Sequence, residues 1–234
     1  MVDAREGLLE REKEIIRMIY VLLDKKLDFV VVGGYAVATY KKRFSIDLDI
    51  VIKEEDLEQF ENVYTKEGYE PCYDKKIQLL YGEKFKRYAK PIKGFTVSAD
   101  FLINGLVSRS TDATWSFAYI KKHAVTGSLD GAAFSMPERE LLIAMKLHSG
   151  RLGDMRDIVA LMPADEKKLD KHIKVGDLGK LRKNIERQEI FLNKQQFDDS
   201  FKGVFGIKAY NPPDVEETKR LISSLLSTLA RVSH

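Results

Sequence analysis

Residues 31–52, VVGGYAVATYKKRFSIDLDIVI, constrain the fold more than any other part of the chain. A β-branched apolar run stops at Gly33-Gly34, and after twelve intervening residues an alternating run carries Asp47 and Asp49. "LDFVVVGG" predicts a short buried strand ended by the glycine pair. Tyr35 to Lys42 has helical composition. "FSIDLDIVI" then alternates, with Phe44, Ile46, Leu48 and Ile50 on one face and Ser45, Asp47 and Asp49 on the other, which predicts a half-buried strand. Aspartates at i and i+2 on a strand project the same way with Cα atoms about 6.5–7 Å apart. Left alone, they repel.

The flanking elements suit a sheet with helices around it. In residues 3–26, Leu8, Leu9, Ile15, Ile16, Ile19, Leu22 and Leu23 recur at three- and four-residue spacing among charges, the pattern of an amphipathic helix that covers a sheet. A further helix is expected from near Glu54 to Gly68. "FTVSADFLI" (Phe95–Ile103) is another strand candidate and carries Asp100. Near Ser135 the pattern changes: in "SMPERELLIAMKL", Ser135 is placed to cap a helix with Glu138 three residues on and Pro137 in the first turn. Beyond it the chain reads as mainly helical, apart from the glycine- and proline-bearing "FDDSFKGVFGIKAYNPPD". The expectation is an α+β chain, with an α/β domain over residues 1–132 and a helical domain over 133–234.

Composition narrows the chemistry. At 234 residues the chain is long enough for a proper core, and a net charge of +3 does not by itself imply nucleic-acid binding. The single Cys72 excludes an internal disulfide and a thiolate zinc site, and the four histidines are scattered without a His-x-x-x-His pair. The N-terminus is charged from its third residue and no apolar run approaches membrane-spanning length, so a cytoplasmic protein is the expectation.

The aspartates are then the candidate ligands. Hard Mg²⁺ or Mn²⁺ is held by one or two carboxylates, with water and substrate phosphate completing the shell. Asp100, on a later strand, is the natural third ligand of a two-metal clamp with Asp47 and Asp49. An acidic pair on an exposed strand face is the plain alternative. Gly33-Gly34 ahead of a helix leaves backbone N–H groups open to phosphate, against the alternative of a simple tight turn.

The order strand, Gly-Gly, helix, then strand with Asp-x-Asp resembles the signature of the DNA polymerase β nucleotidyltransferase superfamily, carried by Val32-Gly33-Gly34 and Asp47-Leu48-Asp49-Ile50. The resemblance implies that Asp47 and Asp49 bind metal, and that Asp100 is the third ligand and helps to activate an acceptor hydroxyl. Arg43 and Ser45 are expected on the strand face of the aspartates, Arg43 against a triphosphate and Ser45 orienting a carboxylate or phosphate. The run Arg43-x-Ser45-x-Asp47-x-Asp49 looks like the AbiEii-type subgroup, which includes toxin nucleotidyltransferases of toxin–antitoxin systems and relatives of antibiotic nucleotidyltransferases. An ordinary surface charge is the alternative for Arg43.

The same subgroup carries a helical lysine followed by Arg/Lys-Asp-x-x-Asp-Leu. Lys146 and Asp157 correspond, whereas Ala160 stands in place of the second aspartate. Lys146 is expected to face the β- and γ-phosphates and steady departing pyrophosphate, with a solvated helix lysine as the alternative. Asp157 is expected to join the nucleotide site, or else to sit in a first helical turn after an Asp154 cap. In residues 74–93, Tyr81, Phe85 and Tyr88 interleave with basic residues, a pattern suited to RNA contact or to a solvated hairpin. The lysine-rich run over 167–194 reads as helix exterior.

The leading reading is a magnesium-dependent nucleotidyltransferase. It moves a nucleoside monophosphate from a nucleoside triphosphate to a hydroxyl of RNA, a tRNA end, a protein or a small molecule, with an antitoxin protein as a further partner. A non-catalytic nucleotide- or RNA-binding module is the main alternative. A metal-dependent glycosyltransferase is the third, and it leaves Gly33-Gly34 without work.

Overall fold

A computed structural model describes residues 4–72, 84–194, 197 and 211–232. The chain divides into two compact units, each built from non-contiguous segments. Residues 1–39, 44–106 and 115–137 form a sheet unit, and residues 40–43, 107–114 and 138–234 form a helical unit.

The sheet unit opens with α1 (Ala4–Asp24) and β1 (Phe29–Val32). Ile15, Ile16, Met18, Ile19 and Leu22 of α1 are buried, in keeping with their three- and four-residue spacing. Leu9 is exposed, so the apolar stripe fades toward the N-terminal end. β1 is buried at every position and runs into the six-residue helix α2 (Gly33–Ala38). β2 (Asp47–Ile52) is followed by a 3₁₀ turn over Glu54–Asp56 and α3 (Leu57–Lys66). β3 (Glu70–Cys72), β4 (Phe85–Ile92) and β5 (Phe95–Ile103) complete a five-stranded sheet in the order β1-β2-β5-β4-β3. Only the β2–β5 pair among these is parallel; the other three pairs are antiparallel, so the sheet is mixed.

Alternation along the strands puts Leu48, Ile50, Ala99 and Phe101 on the face opposite the aspartates. That face is sealed by aromatic packing from α3. Phe60 meets Phe29 and Phe101 edge-on at centroid distances of 6.4 and 5.9 Å, and Tyr64 meets Phe101 at 4.9 Å. Tyr88 of β4 stacks on Phe101 at 5.2 Å. Phe85 and Tyr88 are both buried, 3% and 4% exposed, and offer no face for a base to stack on. Tyr81 lies outside the described residues.

A ribbon of β6 (Gly105–Ser108) and β7 (Ala113–Ser116) leads to α4 (Phe117–Lys122), capped by the Ser116 hydroxyl, which accepts from the Tyr119 N–H. β8 (Ala124–Leu129) and β9 (Ala132–Pro137) form a hairpin turning on Asp130 and Gly131, both with positive φ. An Asp-Gly pair is the sequence mark of such a turn. Ser135 therefore sits in a strand paired with Thr126, contrary to the helix-cap expectation. Pro137 closes the strand, and the following helix starts after Glu138.

The helical unit contains α5 (Arg139–Ser149), α6 (Asp154–Ala160), α7 (Glu166–Ile173), α8 (Leu178–Leu192) and α9 (Pro212–Val232). α5 ends at Gly150, in the left-handed conformation. Asp165 and Asp177 cap α7 and α8, the first accepting from the Lys167 and Lys168 N–H groups and the second from that of Lys180. Leu141, Leu142, Leu147, Ile158, Leu169, Leu181, Ile185 and Ile222 form the core, while Lys167, Lys168, Lys171, Lys174, Lys180 and Lys183 lie on the exterior. No described helix is long and apolar enough to cross a membrane.

Candidate active site

Register brings the sequence-predicted carboxylates together. β2 and β5 run parallel with Asp49 opposite Asp100 and Asp47 opposite Ser98. Register partners share a face, as do i and i+2 residues of one strand, so Asp47, Asp49 and Asp100 all project from the same side. On the other flank, Asp49 is opposite Val32, the last residue of β1. The glycine pair thus begins beside the second aspartate.

Gly33 is fixed there for two reasons. Its φ is +63°, a conformation costly for a residue with a Cβ. A Cβ added to it would stand 2.0 Å from Oδ2 of Asp49. The carboxylate lies directly over the glycine backbone, and any larger residue displaces it.

The ladder between β4 and β5 adds a residue that sequence reading missed. Arg87 is opposite Asp100, and its Nε and Nη2 donate to the two carboxylate oxygens at 2.6 Å each. Nη2 also lies 3.3 Å from Oδ2 of Asp47. Asp100 is only 2% exposed. Burial pushes its pKa up, with Asp47 adding to the shift and the Arg87 guanidinium opposing it. Hydrogen bonding to Asp100 in turn raises the Arg87 pKa against the effect of burial. Arg87 belongs to the basic run that was read as an RNA-facing surface or hairpin. No clean alternation marks β4 in the sequence, and the partner of Arg87 is set by register alone.

The strand begins at Asp47, later than the alternation implied. Ile46 is 58% exposed and anchors nothing behind the aspartates. Ser45 precedes the strand, with its hydroxyl 3.5 Å from Oδ1 of Asp47, at the outer limit of a hydrogen bond. Arg43 is likewise off the strand and belongs to the helical unit, where its guanidinium is paired with the carboxylate of Asp157.

Lys146 and Asp157 do meet, within the helical unit. Lys146 of α5 donates to Asp157 at 2.6 Å and to Asp154 at 3.2 Å. Its side chain is 7% exposed, so it is neither solvated nor open on a helix face. Asp154 is the first residue of α6, after Gly153, and Asp157 the fourth; Asp154 is therefore not the cap that the sequence suggested. It accepts from Ser149 and from Arg151 Nε at 3.0 Å. Burial raises the Asp154 pKa, but the charges of Lys146 and Arg151 with the Ser149 hydrogen bond outweigh it and hold the pKa at about 2. Asp154 was missed because its position after Gly153 reads as an ordinary cap.

The sheet cluster suits a hard divalent cation. Its donors are all oxygens; Asp47 and Asp49 are half-buried; and the three carboxylates with one guanidinium sum to a charge of −2. Arg87 uses two of the four lone-pair directions of the Asp100 carboxylate, leaving others for a second partner.

No family model matches this chain, and no curated protein matches it. Solved structures do. A protein from H. pylori described as a nucleotidyltransferase is 16% identical, covers 98% of this chain and 99% of its own, and superposes with a TM-score of 0.51. The lincosamide antibiotic adenylyltransferase LnuA, bound to lincomycin, is 15% identical over 64% of this chain and 95% of its own, at 0.47. ANT(2")-Ia in complex with adenylyl-2"-tobramycin is 13% identical over 76% of this chain and 92% of its own, at 0.40. The H. pylori likeness identifies the fold: a nucleotidyltransferase fold with a small mixed sheet and a helical C-terminal region.

Proposed function

We propose that the protein is a metal-dependent nucleotidyltransferase of the polymerase β type, of AbiEii-like character, that transfers a nucleoside monophosphate from a nucleoside triphosphate to an acceptor hydroxyl. The observation that carries this reading is the convergence of Asp47, Asp49 and Asp100 on one sheet face, with Gly33 directly beneath Asp49. Few structural needs gather three carboxylates on adjacent strands, because like charges on neighbouring positions destabilise a sheet.

Asp47, Asp49 and Asp100 are the residues that would hold Mg²⁺ or Mn²⁺. When bound, such ions offset the charge on the phosphates and on the attacking and leaving oxygens. Gly33 and Gly34 present backbone free of side chains where a phosphate must approach closely. The acceptor oxygen attacks the α-phosphorus, the bond to the bridging oxygen of the β-phosphate breaks, and pyrophosphate leaves with the electron pair. The hydroxyl proton passes to a carboxylate, a role to which burial, which raises the Asp100 pKa, suits Asp100. Arg87 holds Asp100 in a fixed orientation through two hydrogen bonds. Lys146 has two carboxylate partners already, so a role for it and for Asp157 and Arg43 at the phosphates requires an exchange of partners. Ser45 is near enough to Asp47 to orient it.

RNA, a tRNA end, a protein hydroxyl and a small antibiotic-like molecule are all chemically competent acceptors. The test is one incubation series: each α-labelled triphosphate with Mg²⁺ against total RNA, cell protein and aminoglycosides or lincosamides. Label in one fraction, with stoichiometric pyrophosphate, supports transfer and identifies the acceptor class. Triphosphate binding by calorimetry with no pyrophosphate from any fraction supports the non-catalytic module instead. Asp100 already satisfied by Arg87 favours that second reading.

A further inference from the structure

Arg87 does more than neutralise a buried acid. Its guanidinium spans two carboxylates on different strands, Asp100 through both of its oxygens and Asp47 through one. Both are carboxylates that the proposed function gives to a divalent cation. Its side chain is 18% exposed against 3% for Asp100, so the arginine closes Asp100 from solvent on its own side.

Resting on the proposed metal centre, we propose that Arg87 is a resident counter-cation that competes with the divalent ion for the Asp47–Asp100 pair, setting how tightly the metal is held. A fixed positive charge a few ångströms from a divalent ion opposes it strongly at the effective dielectric of a protein. The bidentate hydrogen bonds also tie up carboxylate lone pairs that a metal would use. Three carboxylates without such a group would bind a lone metal tightly but repel one another until it arrived. With Arg87 the cluster stays assembled, the ion is held less tightly, and the phosphates of the incoming triphosphate become needed ligands for it. Arg87 is therefore a positioning residue for Asp100 and a regulator of metal affinity.

The test uses the full chain without nucleotide. Mn²⁺ binding is measured by calorimetry and electron paramagnetic resonance for the wild type, Arg87→Gln, Arg87→Lys and Asp49→Asn. Removing the charge in Arg87→Gln is expected to tighten Mn²⁺ binding by about 10- to 100-fold. Arg87→Lys keeps the charge but loses the bidentate pairing, so its binding is expected to fall between wild type and Arg87→Gln. Asp49→Asn is expected to lose binding. Unchanged or weaker binding in Arg87→Gln, with binding still lost in Asp49→Asn, overturns the competition while leaving the metal centre standing. Wild-type binding indifferent to Asp49 overturns the centre itself, and the competition with it.

If Arg87→Gln fails to fold, the wild type decides. The Arg87 Nε–H resonance in ¹⁵N-arginine-labelled protein, identified by its loss in Arg87→Lys, is expected to shift on Mg²⁺ titration as the ion comes to share the Asp100 and Asp47 oxygens with the guanidinium. No change in that resonance at saturating Mg²⁺ overturns the proposal.

Discussion

The protein holds two clusters of acids and bases, and they differ in how their charge is compensated. In the helical unit, Asp154 and Asp157 face Lys146, Arg43 and Arg151. The two acids and Lys146 are each less than a tenth exposed, and each acid has a basic partner at hydrogen-bond distance. In the sheet unit, three carboxylates share the charge of Arg87, and the half-buried Asp47 and Asp49 stay within reach of solvent. Charge compensated in place is a structural arrangement, since a buried ion pair broken on one side is costly. A cluster of carboxylates gathered on one strand face, within reach of solvent, suits a cation brought from outside.

The largest effect expected is on the compensated side. Lys146→Met leaves Asp154 and Asp157 buried without their shared ammonium, and a loss of about 3–5 kcal/mol in urea unfolding is expected. A loss under 1 kcal/mol breaks the contrast, because Lys146 would then be dispensable to the fold and free for ligand.

Gly33→Ala comes next. The positive φ and the approach to Asp49 together are expected to cost about 1–3 kcal/mol. The same change is expected to weaken Mn²⁺ binding by calorimetry, since the Asp49 carboxylate must move. Stability lost with metal affinity unchanged would show that the glycine serves the turn alone.

Similar in size to the Gly33→Ala effect is the pH dependence of the helical cluster. Asp154 has a folded pKa of about 2, below its ordinary value of 3.8. A depressed carboxylate contributes its stability above the unfolded pKa and loses it as pH falls through the folded one, so the window is pH 4 to 2. The contribution is on the order of 2 kcal/mol. Acid unfolding of Asp154→Asn is expected to be flatter than wild type over that window; identical slopes would remove Asp154 from the ion cluster.

How much of this was legible in the sequence follows from the range of each interaction. β1, its end at Gly33-Gly34 and Asp100 on β5 were readable because β-branched runs, glycine stops and alternation are local. The shared face of Asp47 and Asp49 follows from the two-residue period. Arg87 was hidden because its partner lies across a ladder, where register depends on the whole sheet. Ser135 misled because Ser-x-x-Glu is a genuine cap pattern, overridden here by pairing with β8. Ile46 misled because alternation in sequence continues past the point where hydrogen-bonded pairing begins. Lys146 and Asp157 stood out in the sequence, but their pairing with Asp154 and Arg43 is set by tertiary packing, which no helical period specifies.

The contrast is tested most directly by measuring label transfer and unfolding on the same preparations of wild type and Asp49→Asn, with Mg²⁺, α-labelled triphosphates and the acceptor fraction that wild type labels. The expected result is a fall in transfer of about 10³-fold or more, with the unfolding midpoint little changed because like charges on neighbouring strand positions do not stabilise a sheet. Transfer at the wild-type rate, or destabilisation as large as that of Lys146→Met, would contradict the assignment of the sheet carboxylates to a metal-bound nucleotide.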